Sequence, residues 1–231
     1  MWGAPRRGFT ARPGVRRDSP IRNTVKKSLI ALALAASPFL ANASESNGIG
    51  YTYAQLDYVY QDGAQIHGIN AYPNGFNLSG SYAFTDHVFG TASYGGTEDS
   101  RYHAKYKNPN WSVGLGFNNA VGANADWVTQ IDYVDSDARV RLDSDAWGCS
   151  DCRENRNYQG ATIRTGVMDR VADGLTVNAY VGYEDYNHGY NGNLFADFGM
   201  VYAFNKTWGL HGGLKLSDGV DTYSVGVRAS F

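Results

Sequence analysis

The side chains able to do chemistry in this 231-residue chain are few and scattered. Two cysteines, Cys149 and Cys152, stand in the run CSDC, and the five histidines are His67, His87, His103, His188 and His211. A CxxC can be a redox pair, but no βαβ pattern surrounds this one. Zinc would need a second pair of ligands, and the histidines are too dispersed to supply it. An exported chain meets an oxidising compartment, so a local Cys149–Cys152 disulfide is expected there. No cofactor or metal is expected. Eight ionisable groups, His211 among them, share one feature: Asp57, Asp132, Arg164, Glu184, Asp197, His211, Lys215 and Arg228 all fall on the polar phase of segments that alternate apolar and polar. On a strand, that phase defines one face.

The elements that must position them are strands of two-residue period. The last residues, TYSVGVRASF, show the pattern: Tyr223, Val225, Val227, Ala229 and Phe231 against Ser224, Gly226, Arg228 and Ser230. An apolar last strand ending on an aromatic residue suits recognition by barrel-assembly machinery and pairing with the first strand. Similar runs are predicted near 50–60, 75–84, 88–95, 110–118, 126–135, 158–168, 175–184, 194–204 and 208–216. With the last, that makes ten, an even number of roughly membrane-crossing length. The connections alternate. Those near 85–87, 118–125, 169–174 and 205–207 are short, whereas 61–74, 96–109, 136–157 and 185–193 are longer and polar. Short periplasmic turns opposite long outer loops are the polarity of an outer-membrane barrel.

A soluble sandwich or lipocalin-like barrel shares the alternation but points its apolar side chains inward. Here the polar phase mixes Gly and Ser with ions, which suits a crowded lumen. The apolar phase carries aromatics near strand ends, such as Tyr58, Tyr94, Trp111, Trp127, Tyr183, Tyr202 and Trp208, as interfacial girdles do. The expected fold is therefore all-β: a ten-stranded antiparallel transmembrane barrel over residues 44–231. Mean hydropathy of −0.40 is too polar for a bundle of membrane helices and suits strands in which apolar residues are diluted by alternation.

Ahead of the barrel, Lys26 and Lys27 precede the apolar run SLIALALAASPFLA and the small-x-small site Ala41-Asn42-Ala43. These features describe a secretory signal peptide over 25–43, cleaved between Ala43 and Ser44. Residues 1–24 lack periodicity and read as an over-long upstream extension, with Val25 the true start. N-terminal sequencing of the unprocessed precursor should begin at position 25; a precursor beginning at Met1 would refute this. Residues 1–43 hold eight of the 20 Lys/Arg and one of the 22 Asp/Glu, leaving twelve basic against twenty-one acidic residues in the remainder. That balance excludes nucleic acid as a partner. The expected partners are outer-membrane lipid and lipopolysaccharide, periplasmic chaperones with the assembly machinery, and a host or surface ligand at the outer loops.

Three segments, KKSLIALALAASPFLANA, DHVFGTASY and YVGYEDYNHGYNGNLFADFGMVYAFNKTWGLHGGLKLSDGVDTYSVGVRASF, resemble small outer-membrane β-barrel proteins of the Ax family. The likeness is nearest over 170–231 and does not extend to the long third loop with its cysteine pair. It implies a barrel in the bacterial outer membrane and supplies no catalytic residue. Members were once described as secreted activators of plant immunity and as signalling factors.

Function could then lie in the lumen or in the loops. In the lumen, eight ionisable groups in a narrow bore are expected to pair and plug it. A narrow passive channel is the alternative. An outer-membrane protease or lipid-modifying enzyme would need a base beside a nucleophile or carboxylate, and a His–Asp pair facing a wet cleft would favour it. In the loops, Asp135, Asp137, Asp143, Asp145, Asp151 and Glu154 alternate with Arg139, Arg141, Arg153 and Arg156. The run ARVRL keeps strand periodicity, so strands five and six should continue past the membrane as a hairpin. The reading that results is a non-enzymatic barrel with a structural, adhesion-like or envelope-integrity role.

Overall fold

The computed structural model describes residues 45–66, 69–101, 104–142, 153–187 and 192–231. The signal segment with Ala43 and Ser44, the pair Cys149 and Cys152, and His67, His103 and His188 lie outside the described residues.

Ten antiparallel strands close into a barrel. Numbering the barrel strands alone, they are β1 (Tyr53–Asp62), β2 (Asn74–Ala83), β3 (Val88–Arg101), β4 (Ala104–Ala120), β5 (Ala125–Leu142), β6 (Arg153–Ala172), β7 (Leu175–Tyr186), β8 (Asn193–Ala203), β9 (Trp208–Ser217) and β10 (Val220–Ser230). Each strand pairs with its sequence neighbours, and β10 closes on β1 through Val225 opposite Tyr58, Val227 opposite Leu56 and Ala229 opposite Ala54. The amide of Phe231 then donates to the carbonyl of Thr52 at 3.0 Å. Closure leaves no unpaired strand edge, which is the condition for a sheet to sit in hydrocarbon.

The pleat sets which side chains face out. Val181 is 63% exposed and Leu115 57%, whereas Asp57 is 4% and Glu184 5%. Phe76, Leu78, Phe117, Ile131, Ile163, Met200, Leu210 and Val225 continue the exposed apolar band. A barrel that is apolar outside and charged inside is inverted relative to a soluble one, and only a lipid surround offsets the cost of exposing that band. Val181→Arg, placed mid-strand on this face, should therefore destabilise the folded barrel by about 2–4 kcal/mol. Chemical unfolding in lipid vesicles would measure it.

The turns at one end are short and self-capped. Thr85 Oγ1 accepts from the amides of His87 (3.2 Å) and Val88 (3.0 Å). Asn205 Oδ1 does the same for Thr207 (2.9 Å) and Trp208 (2.7 Å). Between β6 and β7, Gly174 supplies a φ of 75°, which residues with a Cβ rarely adopt.

Several boundaries differ from the sequence reading. Strand one starts at Tyr53 and not at Gly50, because residues 50–52 fold into the barrel mouth. Segment 96–109, read as a loop, is strand on both sides: β3 runs to Arg101 and β4 begins at Ala104. Its Lys, Asn and Asp content suggested a loop, but pairing with β5 holds it extended, with Tyr106 opposite Val140 and Lys107 opposite Arg139. The expected turn 169–174 shrinks, since β6 continues to Ala172 past a bulge between Arg170 and Ala172. Segment 61–74 contains a small hairpin, Ala64–Ile66 with Ile69–Ala71. β3 to β6 are 14, 17, 18 and 20 residues long. A crossing needs about 9–11, so their surplus projects beyond the apolar band.

Candidate functional site

The N-terminal approach to the barrel is the feature that alternation alone does not reveal. Glu45–Ser46 pairs with Ile49–Gly50 across an Asn47-Gly48 turn. Both turn residues have positive φ, 53° and 71°, the two-residue hairpin geometry that Asn-Gly favours. The hairpin brings Ile49, Tyr51 and Thr52 into the mouth at the end with the short turns. There Ile49 and Tyr51 form a buried cluster with Phe89, Val128 and Tyr180, flanked by Ala83 and Met168. The Tyr51 and Phe89 rings stack with centroids 4.9 Å apart.

Polar contacts pin this segment. Tyr51 OH donates to Asp126 Oδ2 at 2.8 Å, and the Asn47 side-chain amide donates to Asp126 Oδ1 at 2.7 Å and to the Ala125 carbonyl at 3.2 Å. Asp126 is fully buried, so its oxygens rely on such donors in place of water. Thr52 Oγ1 accepts from the amide of Ala83 at 3.1 Å. Residues 47–52 are thus a cork seated in one end of the barrel. Tyr51→Phe should cost about 1–3 kcal/mol by stripping a donor from a buried carboxylate, read as a lower unfolding midpoint.

Above the cork lies a cavity of about 360 Å³, lined by Gly50, Tyr51, Asp57, Arg164, His211 and Arg228 among others. The eight ionisable residues singled out from the sequence all point into the lumen side of the sheet, and three groupings form.

In the first, Arg164 Nη1 donates to Asp197 at 2.9 Å and its Nη2 to Gln130 Oε1 at 2.9 Å. The guanidinium also lies 5.1 Å from the Tyr180 ring centroid. Among the described residues Asp132 makes no direct ion pair. It accepts from Gln130 Nε2 at 2.8 Å and from Thr91 Oγ1 at 2.9 Å, so Gln130 joins it to Arg164.

In the second, His211 Nδ1 is 2.8 Å from Asp57 Oδ1 and 3.0 Å from Gln55 Nε2. Gln55 donates to the other Asp57 oxygen at 2.6 Å and accepts from Arg228 Nε at 2.6 Å. Arg228 in turn lies over the Tyr53 ring at 3.9 Å. Gly226 stands between the strands of His211 and Asp57, opposite both. A side chain there would collide with the Asp57 carboxylate, so glycine is what lets the pair meet.

In the third, nearer the long-hairpin end, Lys215 Nζ donates to Glu184 at 2.6 Å and sits 4.3 Å from the Phe195 ring centroid. Ser217 Oγ adds a bond to Glu184 at 3.1 Å.

The His211–Asp57 pair has the carboxylate–imidazole half of a nucleophilic triad. Among the described residues, however, no hydroxyl or thiol hydrogen-bonds to His211. His87, in a short turn, lies 3.1 Å from the Asn118 carbonyl and takes no part in the lumen. Cork and lumen therefore form a stoppered interior: an apolar floor with networks of paired ions around the cavity above it.

The projecting hairpins carry the remaining charge. Glu98 pairs with Lys107 at 2.7 Å and Asp137 with Arg139 at 2.5 Å. The hydrogen bond from Lys107 holds the Glu98 carboxyl below the usual carboxylate range. Asp135, on the same strand, accepts from the side-chain amides of Asn157 at 3.0 Å and Gln159 at 2.9 Å.

No protein-family model and no curated protein matches this chain. Solved structures similar to it include the translocator domain of the autotransporter NalP from Neisseria meningitidis, at 13% identity and a TM-score of 0.47, covering 91% of this chain and 98% of that one. They include neisserial surface protein A, at 16% and 0.44, covering 78% and 96%. They also include Ail, the attachment invasion locus protein of Yersinia pestis, at 14% and 0.41, covering 78% and 99%. Likenesses at this level carry nothing about function. By its own strand order, closure and inverted polarity, the chain is a ten-stranded antiparallel β-barrel of the outer-membrane type.

Proposed function

We propose that this protein resides in the bacterial outer membrane, short turns and cork toward the periplasm, and acts through the hairpins of β3–β6 in an adhesion-like or envelope-integrity role. Kinship with the Ax family is part of this reading, as are export by a cleaved signal peptide and a stapled Cys149–Cys152 tip. The observation that carries it is the division of the molecule. One end of the bore is stoppered by a cork and the rest is lined by paired ions, while the longest strands extend past the apolar band at the other end. Chain surplus placed there serves contact with something outside the bilayer.

A narrow passive channel is the second reading, favoured by the polar cavity above the cork. The His211–Asp57 pair supports a hydrolytic enzyme less well. Among the described residues its imidazole has no nucleophile in hydrogen-bond reach, and one end of the bore is blocked.

A strain lacking the gene, compared with one whose product lacks only residues 140–156, tests the first reading. Matching losses of surface attachment or of envelope resistance to detergent are expected. If the truncated protein restores both fully, the hairpin role is wrong.

A further inference from the structure

One cation of the lumen stands without an anion. Lys215 is bound to Glu184 and Arg164 to Asp197. Arg228 makes no ion pair among the described residues. Its Nε donates to Gln55 Oε1, and its guanidinium carbon lies 3.9 Å from the Tyr53 ring centroid. Both terminal nitrogens meet no acceptor among the described residues, so every guanidinium N–H outside Nε–H is unmatched. Arg228 nevertheless lines the lumen cavity, where donors left unmatched call for a partner. Asp57 is linked to it only through Gln55, and the Asp57 oxygens are taken by Gln55 and His211. Asp132 also lacks an ion pair, but it stands on β5, half-way round the barrel from β10. Its oxygens are held by Gln130 and Thr91.

The register sets neutral polar groups on the same wall. Ser79 shares the row of Arg228, across Gln55, and Asn77 sits one row further from the cork, across Asp57. Ser224 is on β10 itself, on the same face as Arg228. The hydroxyls of Ser79 and Ser224 and the Asn77 amide have no hydrogen-bond partner among the described residues, and all three residues line the cavity. Glycines keep the space around them clear. Gly226 separates Ser224 from Arg228, while Gly95 lies against Asn77 and Gly213 against Ser224.

Size and chemistry narrow the ligand. The cavity holds about 360 Å³, at the small end of ligand pockets, which run from about 300 to 1,000 Å³. It therefore admits one small molecule and no polymer. The cork shuts one end, and the lining runs from Tyr51 at the cork to Val134, Lys215 and Thr222 toward the long hairpins. A carboxylate matches the guanidinium fork with two parallel charge-assisted hydrogen bonds. Hydroxyl and amide side chains match hydroxyls. A molecule with a carboxylate at one end and hydroxyls along its body meets both.

We infer that the lumen binds a small polyhydroxy carboxylate, of hexose-acid size, which enters from the long-hairpin end. Its carboxylate takes the terminal nitrogens of Arg228, and its hydroxyls exchange hydrogen bonds with Ser79, Asn77 and Ser224. Arg228 supplies the attraction, and the neutral groups select among anions. This site stands apart from the outer hairpins of the proposed function and holds whichever side of the membrane they face.

The test uses the full mature protein in phosphatidylcholine nanodiscs, with D-gluconate as probe and isothermal titration calorimetry as readout. Wild type should bind gluconate saturably, at one site per barrel. Glucose keeps the hydroxyls and acetate keeps the carboxylate, and each should bind about tenfold more weakly or worse. R228Q should lose about tenfold in gluconate affinity. R228K keeps the charge without the fork and should fall between; it carries the test if R228Q does not fold. S79A/S224A should weaken gluconate and leave acetate unchanged, a split that a general loosening of the barrel would not give. Circular dichroism checks that each variant is folded. Absence of saturable gluconate binding by wild type overturns the inference. So does equal gluconate affinity in folded R228Q and R228K, or glucose, acetate or inorganic phosphate bound as tightly as gluconate.

Discussion

Deletion of residues 45–51 should convert the barrel, expected to be silent in planar bilayers, into one that conducts in discrete steps. The floor of the lumen cavity is formed by Gly50 and Tyr51, and Tyr51 is packed on Phe89 and hydrogen-bonded to Asp126. Without them, only the ion networks remain across the bore, and water and small ions can pass between paired groups that keep their own hydrogen bonds. Thr52 is retained in this variant because its carbonyl and hydroxyl accept from Phe231 and Ala83 at the barrel seam. Tyr51→Ala is the milder version: the cork stays tethered through Asn47, so brief, flickering openings are expected. Unchanged circular dichroism would show that the deleted form is still a barrel. A folded deletion variant that stays silent would mean that the ion networks alone seal the lumen. A wild-type protein already conducting in steps would favour the channel reading.

Asp197→Leu should destabilise the barrel by about 2–4 kcal/mol, and adding Arg164→Met should recover most of that loss. Arg164 and Asp197 are 2.9 Å apart with side chains 29% and 23% exposed. Removing the carboxylate alone leaves a guanidinium in a narrow bore that keeps its hydrogen bond to Gln130 and its contact with the Tyr180 ring but loses its directly paired anion. Orphaning one member of a buried pair costs more than replacing both by apolar groups of similar size. Denaturant unfolding in vesicles of wild type, both single variants and the double variant would measure the coupling. Equal losses for the single and double variants would contradict it. Glu98→Gln at the exposed Lys107 pair is the contrast and should shift stability by less than about 1 kcal/mol.

The two-residue period made the barrel legible because a closed sheet in lipid imposes it on every strand. Once Leu115 or Val181 faces hydrocarbon, Gly114 and Gly182 must face the bore. The same period assigns Asp57, Arg164 and Lys215 to the inner phase. It cannot say which of them meet, because that depends on register and barrel shear. His211 reaches Asp57 across β10, over Gly226, from 154 positions away in sequence. The cork stayed hidden because Gly50 to Thr52 run straight into strand one with no turn residue between them. Two signals were present. Asn47-Gly48 is a hairpin turn in its own right. Phe89, Val128 and Tyr180 are apolar residues on polar phases near the short-turn end, which implies an apolar object for them to touch. The extension of β3 and β4 was concealed by composition. Lys105, Lys107 and Asn108 suggest a loop until the strand beside them is seen to supply backbone partners.

Outward orientation of the apolar phase is tested most directly by depth-dependent fluorescence quenching. Cys149 and Cys152 are first replaced by serine. Single cysteines are then introduced and labelled at Leu56, Ile131 and Val225 on one phase, and at Asn77, Ser112 and Thr162 on the other. In vesicles containing brominated lipids, the first three labels should be strongly quenched and the last three should not. Quenching confined to 77, 112 and 162, with 56, 131 and 225 shielded, would contradict the account.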